Sequence, residues 1–169
     1  FRRVLFRSSK AAVAGGVTSY MEMPNTVPPA ITIKLLEEKF AAAARNSFAN
    51  YSFYFGASTD NIDEIVKVDP RRVCGVKVFM ASSTGNMLVD ATEALHRIFE
   101  FSPTLVAIHS EDEATIQANL KFYKEKYGDQ ILPAHHPEIR NHKACYISTE
   151  YAVALAKKLN TRLHVLHLS

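Results

Sequence analysis

Gly75-Val76-Lys77-Val78-Phe79-Met80 sets one lysine in the middle of a run that otherwise reads as a buried strand. With Cys74 before it, the run has the near-continuous apolar character of a strand covered on both faces. A buried ammonium without a partner is strongly disfavoured. The lysine therefore needs either a carboxylate or a way to lose its charge. A neutral lysine can react with carbon dioxide and become a carbamate, which is an anionic oxygen ligand for metals. The plain alternative is a lysine whose head emerges at the strand end and pairs with a nearby acid.

Working outward, the same alternation of apolar strands and amphipathic helices recurs. Residues 9–14 read as a helix end stopped by Gly15-Gly16. A strand over 17–23 runs into the turn-forming Pro24-Asn25-Thr26-Val27-Pro28-Pro29. Thr32 suits the N-cap of a helix over 33–46, with Leu35, Leu36, Phe40 and Ala43 on one face. Residues 50–57 form an aromatic strand and 60–68 a short helix. The lysine strand spans 73–81 and is followed by the polar loop Ser82-Ser83-Thr84-Gly85-Asn86. A helix over 91–101 precedes a strand over 104–109. The acids Glu111, Asp112 and Glu113 suit the positive end of a helix running to about residue 127. An irregular loop over 131–140 carries His135-His136. The longest helix spans 141–159 and the last strand 162–168. This order predicts an α/β fold with a parallel sheet covered by helices. No Gly-rich phosphate fingerprint follows any strand, which argues against a nucleotide-binding fold.

Composition sets the class. The chain has 169 residues, 47% hydrophobic and 22% charged, an ordinary globular balance. A net charge of +3 is too small to point to nucleic acid, and no apolar run approaches a membrane span. Cys74 and Cys145 have no CxxC partner and read as buried free thiols, consistent with a reducing, cytoplasmic setting. Residues 1–8 stand apart. Phe-Arg-Arg-Val-Leu-Phe-Arg-Ser lacks the core and cleavage site of a leader, and it reads as the translation of a sequencing-library adapter end. The expectation is a non-native stretch over 1–8, with 9–169 an internal fragment of a longer domain.

The polar residues that break the apolar pattern are Asn25, Lys77, His109 and His167, each at or near the carboxyl end of a strand. In a parallel barrel that is the catalytic face. His109 closes Leu105-Val106-Ala107-Ile108, and His167 closes His164-Val165-Leu166. Imidazole is the commonest neutral metal ligand, and one histidine on each neighbouring strand lets several converge on one ion. Each alone reads equally as a hydrogen-bonded structural residue. In a regular strand His164 alternates away from His167 and packs against a helix. Glu111 is close enough to His109 to orient it. Asn25 suits either a turn or the binding of a substrate oxygen.

Four runs then carry a resemblance. Met23-Pro24-Asn25-Thr26, Gly75 to Met80, Ile108-His109-Ser110-Glu111 and His164 to Ser169 occur in order and at separations that resemble the cyclic amidohydrolases. These include dihydroorotase, dihydropyrimidinase (hydantoinase) and allantoinase. The Met-Pro-Asn-Thr run and the Ser82 to Met87 segment look most like dihydroorotase of the lysine-carbamate type. The resemblance implies a (β/α)8 TIM barrel, with about five of its eight strands present. It implies two Zn2+ ions bridged by carboxylated Lys77, with His109 and His167 as ligands and Asn25 binding the substrate carboxylate. It implies reversible hydrolysis of the cyclic amide of dihydroorotate to N-carbamoyl-aspartate, a step of pyrimidine biosynthesis. A first-strand His-x-His with its arginine and an eighth-strand aspartate belong to such a site and are expected outside this chain, so the fragment alone is expected to be inactive. The other cyclic amidohydrolases, and a non-catalytic scaffold that keeps the barrel, are the alternatives. The expected partner is a small cyclic amide, with a homo-oligomer of the full-length protein left open.

Overall fold

The computed structural model describes residues 7–81, 87–89 and 91–167. The adapter-like stretch up to residue 6, the polar loop at 82–86 and the final Leu168-Ser169 lie outside the described residues.

Five strands form one parallel sheet in unbroken chain order: β1 (Ser19–Glu22), β2 (Asn50–Gly56), β3 (Gly75–Phe79), β4 (Val106–His109) and β5 (Leu163–Val165). The strand order never reverses, so the sheet lacks the switch point of a doubly wound fold and steps round as a barrel does. Helix α1 (Ser9–Ala14) precedes β1. The crossovers carry α2 (Ile33–Asn46), α3 (Ile62–Ile65), α4 (Thr92–Phe101), α5 (Glu113–Tyr127), α6 (His136–Ile139) and α7 (His142–Leu159). Side chains set the helix starts. Thr32 accepts the Leu35 N–H, Asp112 that of Thr115 and Asn141 that of Ala144, each satisfying an otherwise orphaned donor.

The main core lies between one face of the sheet and the helices. Phe53, Phe55, Val76, Val78, Val106 and Ile108 meet Leu36, Ile65, Leu95, Ile98, Ala152 and Leu155 there. Each such side chain contributes about 1.5–3 kcal/mol when fully buried, so this layer holds the sheet together. A buried cation also sits in it. Lys39 on α2 is fully buried, lies 2.9 Å from Glu22 Oε2 and donates to Met23 O at 2.9 Å.

Alternation turns the other residues of each strand to the opposite, inner face. The register places Lys77 beside Gly56 and Ala107, Phe79 beside His109, and Ala107 beside His164. This corrects the expectation for His164. It is exposed on the inner face, while Leu163 and Val165 pack towards the helices. The regular strand ends at Val165, so alternation cannot be counted through to His167. The loop expected over 131–140 is also more ordered than its prolines suggested. It holds a 3-10 turn, Pro133–His135, followed directly by α6. Cys74 and Cys145 form no disulfide and are only half-buried.

Candidate metal centre

Lys77 lies at the middle of β3, 2% exposed. Its amine donates to Val78 O at 2.9 Å and sits 3.6 Å from the centre of the Phe79 ring. No carboxylate pairs with it among the described residues. Burial alone lowers its pKa from 10.5 to about 7. Near neutrality a large share of this lysine is therefore an uncharged, nucleophilic amine.

His109 is the last residue of β4, on the same face as Phe79, with the two ring centres 6.1 Å apart. Its Nδ1 lies 2.8 Å from His167 Nε2. His167 reaches that point from outside regular strand. Leu166 donates to Ile108 O at 3.1 Å, and His167 then takes a left-handed backbone with φ of 39°. Such a conformation is uncommon for a residue with a Cβ and needs surrounding structure to hold it. Here it brings the second imidazole against the first. Burial lowers the His109 pKa, Glu111 opposes that shift, and electrostatic interaction with His167 and Lys77 adds to it. A neutral imidazole is the form that binds metal.

On its other side, His109 Nε2 meets Glu111 Oε2 at 2.7 Å. Glu111 is buried and forked by Arg140, whose Nε donates to Oε1 at 3.0 Å and whose Nη2 donates to Oε2. Burial alone would raise the Glu111 carboxyl, but hydrogen bonds from Arg140 and His109 outweigh it and hold the pKa below its usual value. Glu111 is thus not one of the acids favoured by the start of α5. That helix begins two residues later, with Asp112 as its cap. Arg140 drew no attention in the sequence. It ends a Pro-bounded segment, and no spacing rule links it to His109.

Asn25 is exposed, in the loop that follows β1 at the same end of the sheet. That loop is tied by Thr26 N–H and Ala30 N–H to Pro24 O, at 2.8 and 2.9 Å.

No family model matches the chain. Individual proteins do. An L-hydantoinase of Paenarthrobacter aurescens is 30% identical over 167 residues, 95% of this chain and 36% of that protein. A dihydroorotase of Methanosarcina acetivorans is 29% identical, over 97% of this chain and 35% of its own length. An allantoinase of Streptomyces avermitilis is 30% identical, over 96% of this chain and 36% of its own. The chain is related to the cyclic amidohydrolases. Among solved structures, the L-hydantoinase (dihydropyrimidinase) from Arthrobacter aurescens superposes with a TM-score of 0.87 at 30% identity, covering 95% of this chain and 36% of that one. The five parallel strands accordingly match part of an amidohydrolase TIM barrel. The chain spans little more than a third of the length of the relatives it matches.

The residues present fit the metal pair that such a barrel implies. Among the described residues no three or more His, Cys, Asp and Glu side chains form a metal-holding cluster. The donors are instead two imidazole nitrogens that face each other and a lysine whose charge burial has made removable. A carbamate on Lys77 would supply the anionic oxygens that this set otherwise lacks.

Proposed function

We propose that the protein containing this chain is a zinc-dependent cyclic amidohydrolase that opens the ring of dihydroorotate to N-carbamoyl-aspartate, and closes it in reverse, in cytoplasmic pyrimidine biosynthesis. One observation carries the metal-dependent reading. Lys77 is buried on the inner face of the sheet without a carboxylate partner among the described residues, at a pKa of about 7, on the strand next to His109. Burial there favours a lysine that sheds its proton.

The residues then divide the work. The neutral Lys77 amine attacks carbon dioxide, a nitrogen–carbon bond forms, and the amine proton leaves to solvent. The resulting carbamate would offer anionic oxygens to hold the metal. His109 Nδ1 and His167 Nε2, in hydrogen-bond contact at 2.8 Å, would be the nitrogens that turn to the metal when it binds. When bound, the zinc pair supplies Lewis-acid polarisation of the ring carbonyl and lowers the pKa of an attacking water. Asn25, exposed at the carboxyl end of β1, donates its amide to the substrate carboxylate. A hydantoin substrate is the second reading, supported by the L-hydantoinase likeness at 30% identity and a TM-score of 0.87. Hydantoins lack that carboxylate, so Asn25 separates the two.

The test is made on the full-length protein. Zinc content and turnover of dihydroorotate and of a 5-substituted hydantoin are measured for wild type, Asn25→Ala and Lys77→Ala. The expected result is that Lys77→Ala loses most of its zinc, while Asn25→Ala keeps zinc and loses dihydroorotate turnover. Full zinc retention in Lys77→Ala refutes the carbamate. Turnover of the hydantoin alone, unaffected by Asn25→Ala, moves the assignment to the hydantoinases.

A further inference from the structure

We propose that Lys39 is a positioning residue for substrate binding. From the buried layer between helix and sheet it fixes the backbone that carries Asn25, and so sets the affinity of the site for the carboxylate of a cyclic amide acid. The proposal rests on the reading of Asn25 as the group that meets that carboxylate, and extends it to a residue of the helix layer.

The argument starts from the cost of placing a charge where Lys39 lies. It projects from α2 into the apolar layer, fully buried, with its ammonium 4.7 Å from the centre of the Phe53 ring. Glu22 Oε2 lies 2.9 Å away. Taking such a pair out of water is costly, and apolar residues of similar size often serve stability as well or better. The bond that apolar residues cannot supply is the one the ammonium donates to Met23 O at 2.9 Å.

That carbonyl stands directly before Pro24 and Asn25. Holding it fixes the plane of the peptide that enters Pro24. The proline ring fixes the next φ, and a residue before proline is itself confined to extended backbone. Pro24 O then accepts from Thr26 N–H at 2.8 Å and from Ala30 N–H at 2.9 Å, which fixes the peptide leading into Asn25. The backbone from the Lys39 anchor up to Asn25 is thus set step by step. The far end of the loop is held separately. Gly56 N–H donates to Ala30 O at 2.8 Å, and the Asn61 amide donates to Ile31 O at 2.9 Å and to Gly56 O at 2.8 Å. With the exit tied to the end of β2, the entry is the end left to Lys39. Asn25 itself is exposed on this braced loop. A binding group held in advance avoids the ordering cost that a loose loop meets when its ligand arrives.

The test is made on the full-length protein. Lys39→Met alone strands the Glu22 carboxylate, so the variant is Glu22→Met/Lys39→Met, with its fold checked by circular dichroism and its zinc by metal analysis. Hydrogen exchange reads the loop, and steady-state kinetics on dihydroorotate reads the site. The variant should keep the wild-type fold and zinc content. Its Thr26 and Ala30 amides should exchange faster, while those in the last turns of α2 stay unchanged. Its kcat/KM for dihydroorotate should fall about 10- to 100-fold, carried by KM more than by kcat. Added to Asn25→Ala, the same pair should lower the residual kcat/KM no further, because both act through one contact. Wild-type exchange and KM in the folded Glu22→Met/Lys39→Met protein overturn the proposal, as does a full further loss in the Asn25→Ala background. Asn25→Ala alone separates the two levels. If it leaves the KM for dihydroorotate unchanged, the carboxylate reading falls and the proposal with it. If it raises KM while Glu22→Met/Lys39→Met does not, the proposal alone falls.

Discussion

Lys77 shows how one buried amine is set by its surroundings. It has a backbone acceptor and an aromatic face, but no counter-ion among the described residues, so burial alone governs its protonation. The consequence for stability has a definite sign. In the unfolded chain the lysine keeps its proton up to its ordinary value of 10.5, whereas in the folded protein it loses it at about 7. Between those values the unfolded state binds more protons, so folding stability rises with pH. In metal-free, carbon dioxide-free buffer, the full-length protein should gain about 2–3 kcal/mol between pH 7 and pH 9 relative to Lys77→Met. Urea titrations of both proteins at the two pH values measure this. An equal pH response in both would mean that the lysine is charged in the folded state, and the route to the carbamate would close.

At the scale of the strand, two glycines let the inner face form beside Lys77. A Cβ built on Gly75 would lie 2.5 Å from Leu105 O and 3.3 Å from Tyr54 Cε1. The first of these is backbone, and it accepts the Val76 N–H at 2.8 Å, so β3 and β4 would have to separate at their bases. A Cβ on Gly56 would meet Met87 Cε at 2.6 Å, Ile31 Cγ2 at 2.9 Å and Pro24 Cβ at 3.0 Å. The closest of those is the tip of a flexible side chain. Gly75→Ala should therefore cost about 1–3 kcal/mol, the range for overpacking, and Gly56→Ala less. Denaturation of both variants settles the ranking, and a Gly75→Ala protein as stable as wild type would show that the β3–β4 contact is looser than drawn. The element order was legible in the sequence because buried parallel strands and amphipathic helices have different periods. Lys77, His109 and His167 stand out in the sequence as polar interruptions of apolar runs, and the fold brings the two histidines into contact. Glu111 was legible only as a neighbour of His109. Its fork with Arg140 was not, because that contact spans the whole of α5 and depends on how α7 docks. His164 was misjudged because β5 stops at Val165, and the backbone of His167 cannot be read from alternation.

The whole molecule raises a question of closure. The sheet has two end strands, β1 and β5, and each offers one row of backbone groups with no strand partner in the described sheet. Its inner face also shows polar and aromatic side chains where a closed barrel would bury them, and His164 on β5 is exposed. Open parallel edges are templates for pairing with other chains, and barrels avoid them by closing. In the L-hydantoinase the aligned region is only 36% of the chain. Expressed alone, the 169-residue chain should therefore aggregate, or stay partly folded without a cooperative thermal transition, and should hydrolyse no cyclic amide. The full-length protein should be soluble and melt cooperatively. Size-exclusion chromatography with circular dichroism melting distinguishes the cases. A soluble monomer with a sharp transition would mean that the helix-covered face, where Phe53, Phe55, Val78 and Ile108 are buried, suffices without closure. The barrel would then be needed to assemble the site and not to stabilise this part of it. Zinc titration of that monomer would show whether Lys77, His109 and His167 bind a cation without the remaining strands.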